Sequence, residues 1–185
     1  MQQFNNVGGF TLVEILVSIF IIILMSGIIF ANYRQSGQQF ALQRSANKLA
    51  QDIRRAQQMA MSASECPVGT DCAGEVPPRY GIEFTINQNF YILFADRNIP
   101  DGNGKYESTP DCEIERIPLE KEVMIDKLFT PAQKTQLWIT FKPPDPITEI
   151  RDPGGPRSIG IIQLIGANNQ TKTISVNAAG LIEVQ

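Results

Sequence analysis

Few side chains in this sequence are equipped for chemistry. There is no histidine, which removes the commonest general base and the commonest metal ligand. Three cysteines, Cys66, Cys72 and Cys112, are too few for a disulfide-built scaffold. Scattered and without histidine, they also make a poor zinc site. One loop gathers oxygen donors. In ADRNIPDGNGKYE, residues 95–107, Asp96, Asn98, Asp101, Asn103 and Glu107 stand among glycines, the kind of cluster that a hard cation such as calcium takes. EF-hand spacing fails there, because Ile99 and Pro100 stand where a ligand is needed. A turn rich in residues that tolerate left-handed backbone is the simpler reading. No Gly-x-Ser-x-Gly, phosphate-binding glycine loop or metal-ligand cluster occurs, so an enzyme is not expected. The acid pairs Asp111/Glu113 and Glu120/Glu122 read as strand surface charge. The residue that stands out is Glu14, a lone carboxylate in an apolar run.

That run is FTLVEILVSIFIIILMSGIIFA, residues 10–31. As a helix it would be roughly 33 Å long, matching a hydrocarbon core of about 30 Å. An ionised acid deep in a bilayer costs on the order of 2.5–3.5 kcal/mol, so such residues are usually functional. Glu14 lies near the end of the stretch, where the cost is lower. A secretory signal places small residues after its apolar segment. Here the small pair Gly8-Gly9 comes before it, and Ile29-Phe30 near the far end is too bulky for such a site.

GFTLVEILVSI, residues 9–19, resembles the type IV prepilin signature shared by type IV pilins, type II secretion pseudopilins and competence pilins: a glycine, a cleavage point, an aromatic residue, then a glutamate four positions on inside an apolar helix. The resemblance implies that a membrane prepilin peptidase cuts between Gly9 and Phe10 and methylates the new Phe10 amine. It also implies that Glu14 takes part in filament assembly, since a carboxylate in a dry filament core needs a positive partner. The N-terminal amine of a neighbouring subunit can supply one, and only after the leader is gone. Two departures stand out. The leader MQQFNNVGG has no lysine or arginine, so the positive-inside rule does not orient it. The proline that many pilins carry late in the helix is absent, which leaves Gly27 as the weak point for any kink.

Around this segment charge is uneven. All 16 basic residues and 18 of the 19 acids lie beyond position 33, which divides an apolar N-terminus from a nearly balanced remainder. That balance gives no electrostatic reason to expect nucleic acid. Leu42, Ala46, Leu49, Ile53, Ala56 and Ala60 recur at helical spacing, with polar residues between them, and no proline or glycine interrupts residues 38–65. One helix over residues 10–62 is expected, its second half amphipathic and the Arg54-Arg55 pair on a solvated face. Strands are expected at 80–86, 90–95, 114–119, 136–141, 159–165, 172–176 and 181–184, with turns at 87–89 and 177–180. In the first, Tyr80, Ile82, Phe84 and Ile86 alternate with Gly81, Glu83 and Thr85, a pattern that buries one face. No helical period separates the strands, so pairing should be antiparallel. KPPDPITEIRDPGGP, residues 142–156, reads as an exposed loop. The fold class is therefore α+β, one long N-terminal helix packed on antiparallel β-sheet, which the resemblance implies is a pilin fold. Its parts would be a leader at 1–9, a transmembrane and filament-core helix at 10–31, an amphipathic continuation at 32–64 and a β domain at 65–185.

More narrowly, ANKLAQDIRRAQQMAMSA (46–63), TISVNAAGLIEV and WITFKPPDP resemble segments of the minor pseudopilin H and fimbrial T family. The resemblance places the β domain outside the cytoplasmic membrane, in the periplasm, on a single-pass inner-membrane anchor. Disulfides persist there. The six-residue separation of Cys66 and Cys72 can close a bridge, while Cys112 either pairs with one of them or stays a small buried apolar residue. Implied partners are other pilins or pseudopilins in a helical filament, the peptidase, an inner-membrane assembly platform and, before assembly, lipid. The competing reading is a DNA-binding competence pilin. Such pilins carry basic residues near the C-terminus, whereas this chain ends LIEVQ with Lys172 its last base. Nucleic acid is therefore an unlikely partner, and no cofactor is expected beyond the weak calcium pattern.

Overall fold

The computed structural model describes residues 9–143 and 147–185, with residues 30–36 described by their backbone alone. The chain divides into two units between Gly37 and Gln38, and one helix, α1 (Leu12–Met61), belongs to both. In the first unit the stretch Leu12–Ile29 is long and apolar enough to cross a membrane, and all its side chains are exposed. The helix continues through Gly27 without a break.

In the second unit the expected stripe of α1 is the core face. Leu42, Ala46, Leu49, Ile53, Ala56 and Ala60 are each at most 3% exposed. Three of these six are alanines, and these small residues let the helix settle closely on the sheet beneath. The strands are β1 (Arg79–Thr85), β2 (Phe90–Asp96), β3 (Cys112–Pro118), β4 (Met124–Phe129), β5 (Gln133–Lys134), β6 (Gln136–Lys142), β7 (Ile147–Asp152), β8 (Gly155–Arg157), β9 (Ile159–Ile165), β10 (Thr171–Asn177) and β11 (Ile182–Val184). All pairings between them are antiparallel. One sheet runs β3-β2-β1-β6-β7-β8, the other β11-β10-β9-β4-β5. Tyr80, Ile82 and Phe84 of β1, Ile139 and Phe141 of β6, Ile162 and Leu164 of β9, and Ile174 and Val176 of β10 join the helix stripe in one contiguous core. The α+β architecture is the one expected.

Polar contacts fasten the flanks of the helix to the sheet. The Tyr91 hydroxyl donates to Asp52 Oδ2 at 2.6 Å, and burial followed by that carboxylate pushes the phenol's pKa far up. Arg55 pairs with Glu115 at 2.6 Å and Arg44 with Glu120 at 3.3 Å. Arg54 stays on the exposed face, so the expected Arg54-Arg55 pair is divided between solvent and sheet. Exposed ion pairs of this kind contribute roughly 0–1 kcal/mol each.

The structure corrects four expectations. Strand β1 is buried on both faces, because a second cluster of Ile92, Phe94 and Trp138, with Phe90 and Tyr106 packed on it, covers its far side. Gly81 sits where Phe94 and Thr140 close in, and Glu83 is buried, its pKa raised chiefly by burial. The proline-rich strip is not a loop: β7 and β8 form a hairpin in it, turned by Pro153 and Gly154, with Gly155 at φ +122° opening β8. Residues 144–146 of that strip lie outside the described residues. Strand β4 had no clear period in the sequence, because a bulge between Ile125 and Lys127 shifts its register. Asp111 is buried rather than surface charge, as its hydrogen bonds below explain.

Candidate functional site

The N-terminal junction is built by a helix start. Thr11 precedes the first helical residue, and its Oγ1 accepts the Glu14 N–H at 3.3 Å while its carbonyl accepts the Ile15 N–H at 3.2 Å. Thr-x-x-Glu is the capping-box pattern, which satisfies amides that the first turn leaves without partners. That signal was present in the sequence and was missed: Thr11 and Glu14 fix where the helix begins. The carboxylate also suits the positive end of the helix dipole. The Ser18 hydroxyl donates to the Glu14 backbone carbonyl at 2.7 Å, and Glu14 is exposed.

Upstream, Gly9 has no atom within 4 Å of where a Cβ would stand, and Phe10 is 78% exposed. Gly9 and Phe10 are thus both exposed, immediately outside the capped helix. Glu14 lies on the first turn beyond them. Gly8 and the rest of the leader lie outside the described residues.

The second candidate region follows the helix. Cys66 and Cys72 are joined by a disulfide, and Cys112 is a free thiol buried in the core at the start of β3. Of the alternatives open in the sequence, Cys112 is the buried apolar residue. Its thiol contributes, after burial, to raising the Tyr80 phenol to about 12.

The third is the 96–111 loop, and its donors serve the loop itself. Asp96 is fully buried. Its Oδ2 accepts the Gly104 N–H at 2.7 Å and its Oδ1 the Asn98 N–H at 3.2 Å. Asp111 accepts from the backbone N–H groups of Arg97 and Glu107 at 3.0 and 2.8 Å, and from Asn98 Nδ2 at 3.2 Å. Burial raises the Asp111 pKa against those hydrogen bonds. Asp101 turns away to Lys142 at 2.9 Å, and Asn103 caps the Lys105 N–H at 2.9 Å. Asp96, Asn98 and Asn103 thus make their side-chain hydrogen bonds within a turn in which Gly102 and Gly104 take positive φ, while Asp101 pairs with Lys142 of β6. Among the described residues no group of three or more His, Cys, Asp or Glu is arranged to hold a metal ion.

Against known families, residues 4–30 match the prokaryotic N-terminal methylation motif, which spans the junction, Glu14 and the apolar helix. The match supports a type IV pilin-like prepilin. Searches of curated proteins and of solved structures gave no match.

Proposed function

We propose that the chain is a minor pilin or pseudopilin: a structural subunit, cut between Gly9 and Phe10 and methylated on the Phe10 amine, that enters a helical filament at its tip or during its initiation. The observation that carries this reading is the exposed Gly9-Phe10 pair followed one helical turn later by an exposed Glu14 on an apolar helix. In this account residues 1–9 are the leader and 10–31 the anchor, which becomes filament core. Residues 32–64 continue the helix onto the 65–185 domain. The anchor lies in the bacterial cytoplasmic membrane with the folded domain on its outer side, and the filament is a type II secretion pseudopilus or a type IV pilus. Partners are other subunits, the prepilin peptidase and the assembly platform.

The physical logic lies in the state of Glu14. A carboxylate near the end of the anchor is tolerated in a bilayer because its head reaches the interface. Packed between apolar helices in a filament, the same group needs a charge partner. The freed Phe10 amine of a neighbour meets that need, so cleavage licenses assembly. Replacing Glu14 by Ala should leave membrane insertion intact and abolish incorporation. Glu14→Ala subunits recovered in filaments at the wild-type level would overturn the pairing account.

A further inference from the structure

The far side of the first sheet holds an acid that folding does not explain. Glu83 of β1 stands opposite Ile92 of β2 and Trp138 of β6 in the strand register, with Arg116 of β3 next beyond Ile92. It is 9% exposed and makes no ion pair among the described residues. A buried carboxylate is ordinarily paired, because an unpaired charge is costly to take out of water. Its two oxygens have about four acceptor sites, and one long hydrogen bond reaches them, from Gln136 Nε2 at 3.4 Å. Burial raises the Glu83 pKa, and the neighbouring Trp138 indole N–H lowers it. That N–H is itself buried and makes no hydrogen bond of normal geometry among the described residues.

The cations nearby are engaged elsewhere. Arg116 gives its Nε and Nη2 to Glu113 at 3.0 and 2.8 Å, and its guanidinium lies 4.7 Å from the centre of the Phe90 ring. Lys105 lies over the Trp138 ring, 5.8 Å from its centre. Beside Glu83 the surface opens into a hollow of about 220 Å³, lined by polar and apolar residues together, among them Thr85, Gln88, Phe90, Ile92 and Gln136. Such a space admits one long side chain or a small molecule and no folded element.

We propose that this hollow binds a primary alkylammonium group, the chemistry of a lysine side chain or of a free aliphatic amine, with Glu83 as its counter-ion. An ionised carboxylate only accepts hydrogen bonds, which selects against an anion. A neutral hydroxyl would fill an acceptor site and leave the charge unpaired. An ammonium supplies three donors and the missing charge together, and its methylene stem suits Phe90 and Ile92. The site goes beyond the filament reading and stands or falls separately from it.

The test uses the full-length chain in detergent micelles and follows the emission of Trp138, its single tryptophan. Nα-acetyl-lysine amide stands for a lysine side chain, putrescine for a free amine, and the Nε-acetylated lysine amide for the same stem without its charge. At millimolar concentration and neutral pH, one or both amines should shift the emission saturably, and the tighter of the two identifies the source. The Nε-acetylated probe should bind at least about ten-fold more weakly, the scale of one charge-assisted hydrogen bond. Glu83→Gln should abolish the response and leave the thermal unfolding midpoint equal or higher, because the isosteric amide removes a buried unpaired charge. Arg116→Gln should strengthen the response by removing a competing cation. The proposal is overturned by the absence of a saturable response to either amine, by an Nε-acetylated probe that binds as well, or by a Glu83→Gln chain that still responds. A Glu83→Gln midpoint well below wild type would overturn it too, because the carboxylate would then serve the fold.

Discussion

Asp152 offers the sharpest test of how the folded unit is held together. It ends β7 in one sheet, yet its carboxylate binds groups from beyond β4 in the other. It accepts from the Thr130 hydroxyl at 2.5 Å, the Gly154 N–H at 2.7 Å, and Arg157 through Nε at 2.8 Å and Nη2 at 3.2 Å. Lys134 stands 3.5 Å away. Asp152 and Thr130 are both fully buried. Replacement by Asn keeps the size but removes the charge and turns an NH2 toward donors. Breaking a buried ion pair costs roughly 3–5 kcal/mol. The Arg157 and Lys134 side chains are 31% and 28% exposed and can partly rehydrate, which moves the expectation to about 3 kcal/mol. Burial alone would raise the Asp152 pKa, but Arg157, Thr130 and Gly154 outweigh it and hold the carboxyl well below the usual carboxylate range. A depressed folded-state pKa contributes stability that is present above the unfolded value, about 3.9, and is lost as pH falls through the folded one. Urea denaturation of residues 38–185 should therefore show a gap between wild type and Asp152→Asn that is full at pH 7 and narrows below about pH 4. Other carboxylates titrate in both proteins and cancel in the difference. A gap under about 0.5 kcal/mol at pH 7, or one unchanged from pH 6 to pH 3, would refute the reasoning.

Two further outcomes follow from packing and cross-linking. A Cβ at Gly81 would lie 2.6 Å from Thr140 Cγ2 and 2.9 Å from both the Ile139 carbonyl oxygen and Phe94, and backbone cannot step aside as a flexible side chain can. Gly81→Ala should cost about 1–3 kcal/mol in the same denaturation assay, and a neutral result would mean that β1 is not covered on its outer face. Replacing Cys66 and Cys72 together by Ser should cost about 2 kcal/mol, the entropy scale for so short a loop, and should make residues 65–73 the first site of limited proteolysis. Unchanged protease resistance would show that hydrogen bonds alone hold the loop.

The sequence revealed what is periodic and hid what is held by tertiary contact. The α1 stripe from Leu42 to Ala60 was legible because helical spacing and small residues both pointed at a sheet. The β1–β2 and β10–β11 hairpins were legible because Asn87, Asn177 and Gly180 mark turns, with Asn87 and Gly180 at positive φ. Strand β4 was not, since its bulge breaks the alternation that would announce it. The β7–β8 hairpin was masked by prolines that a central strand would exclude but that this edge hairpin accommodates, Pro156 lying in β8 at the sheet's border. Asp96 and Asp111 looked like cation ligands or surface charge because sequence spacing does not say which backbone amides will close around a carboxylate. At the junction the opposite holds. Glycine, aromatic and glutamate can be read one after another, and the structure added only that Thr11 caps the helix on which Glu14 sits.

The central claim is that Gly9 and Phe10 mark a processing point and that the chain matures there. Mass spectrometry of the N-terminal peptide from chain recovered from membranes of cells with an active prepilin peptidase tests it directly. The account predicts a peptide that begins at Phe10 and carries one added methyl group on its amine. A chain that still begins with Met1 under those conditions, or one cut on the far side of the apolar helix, would contradict it.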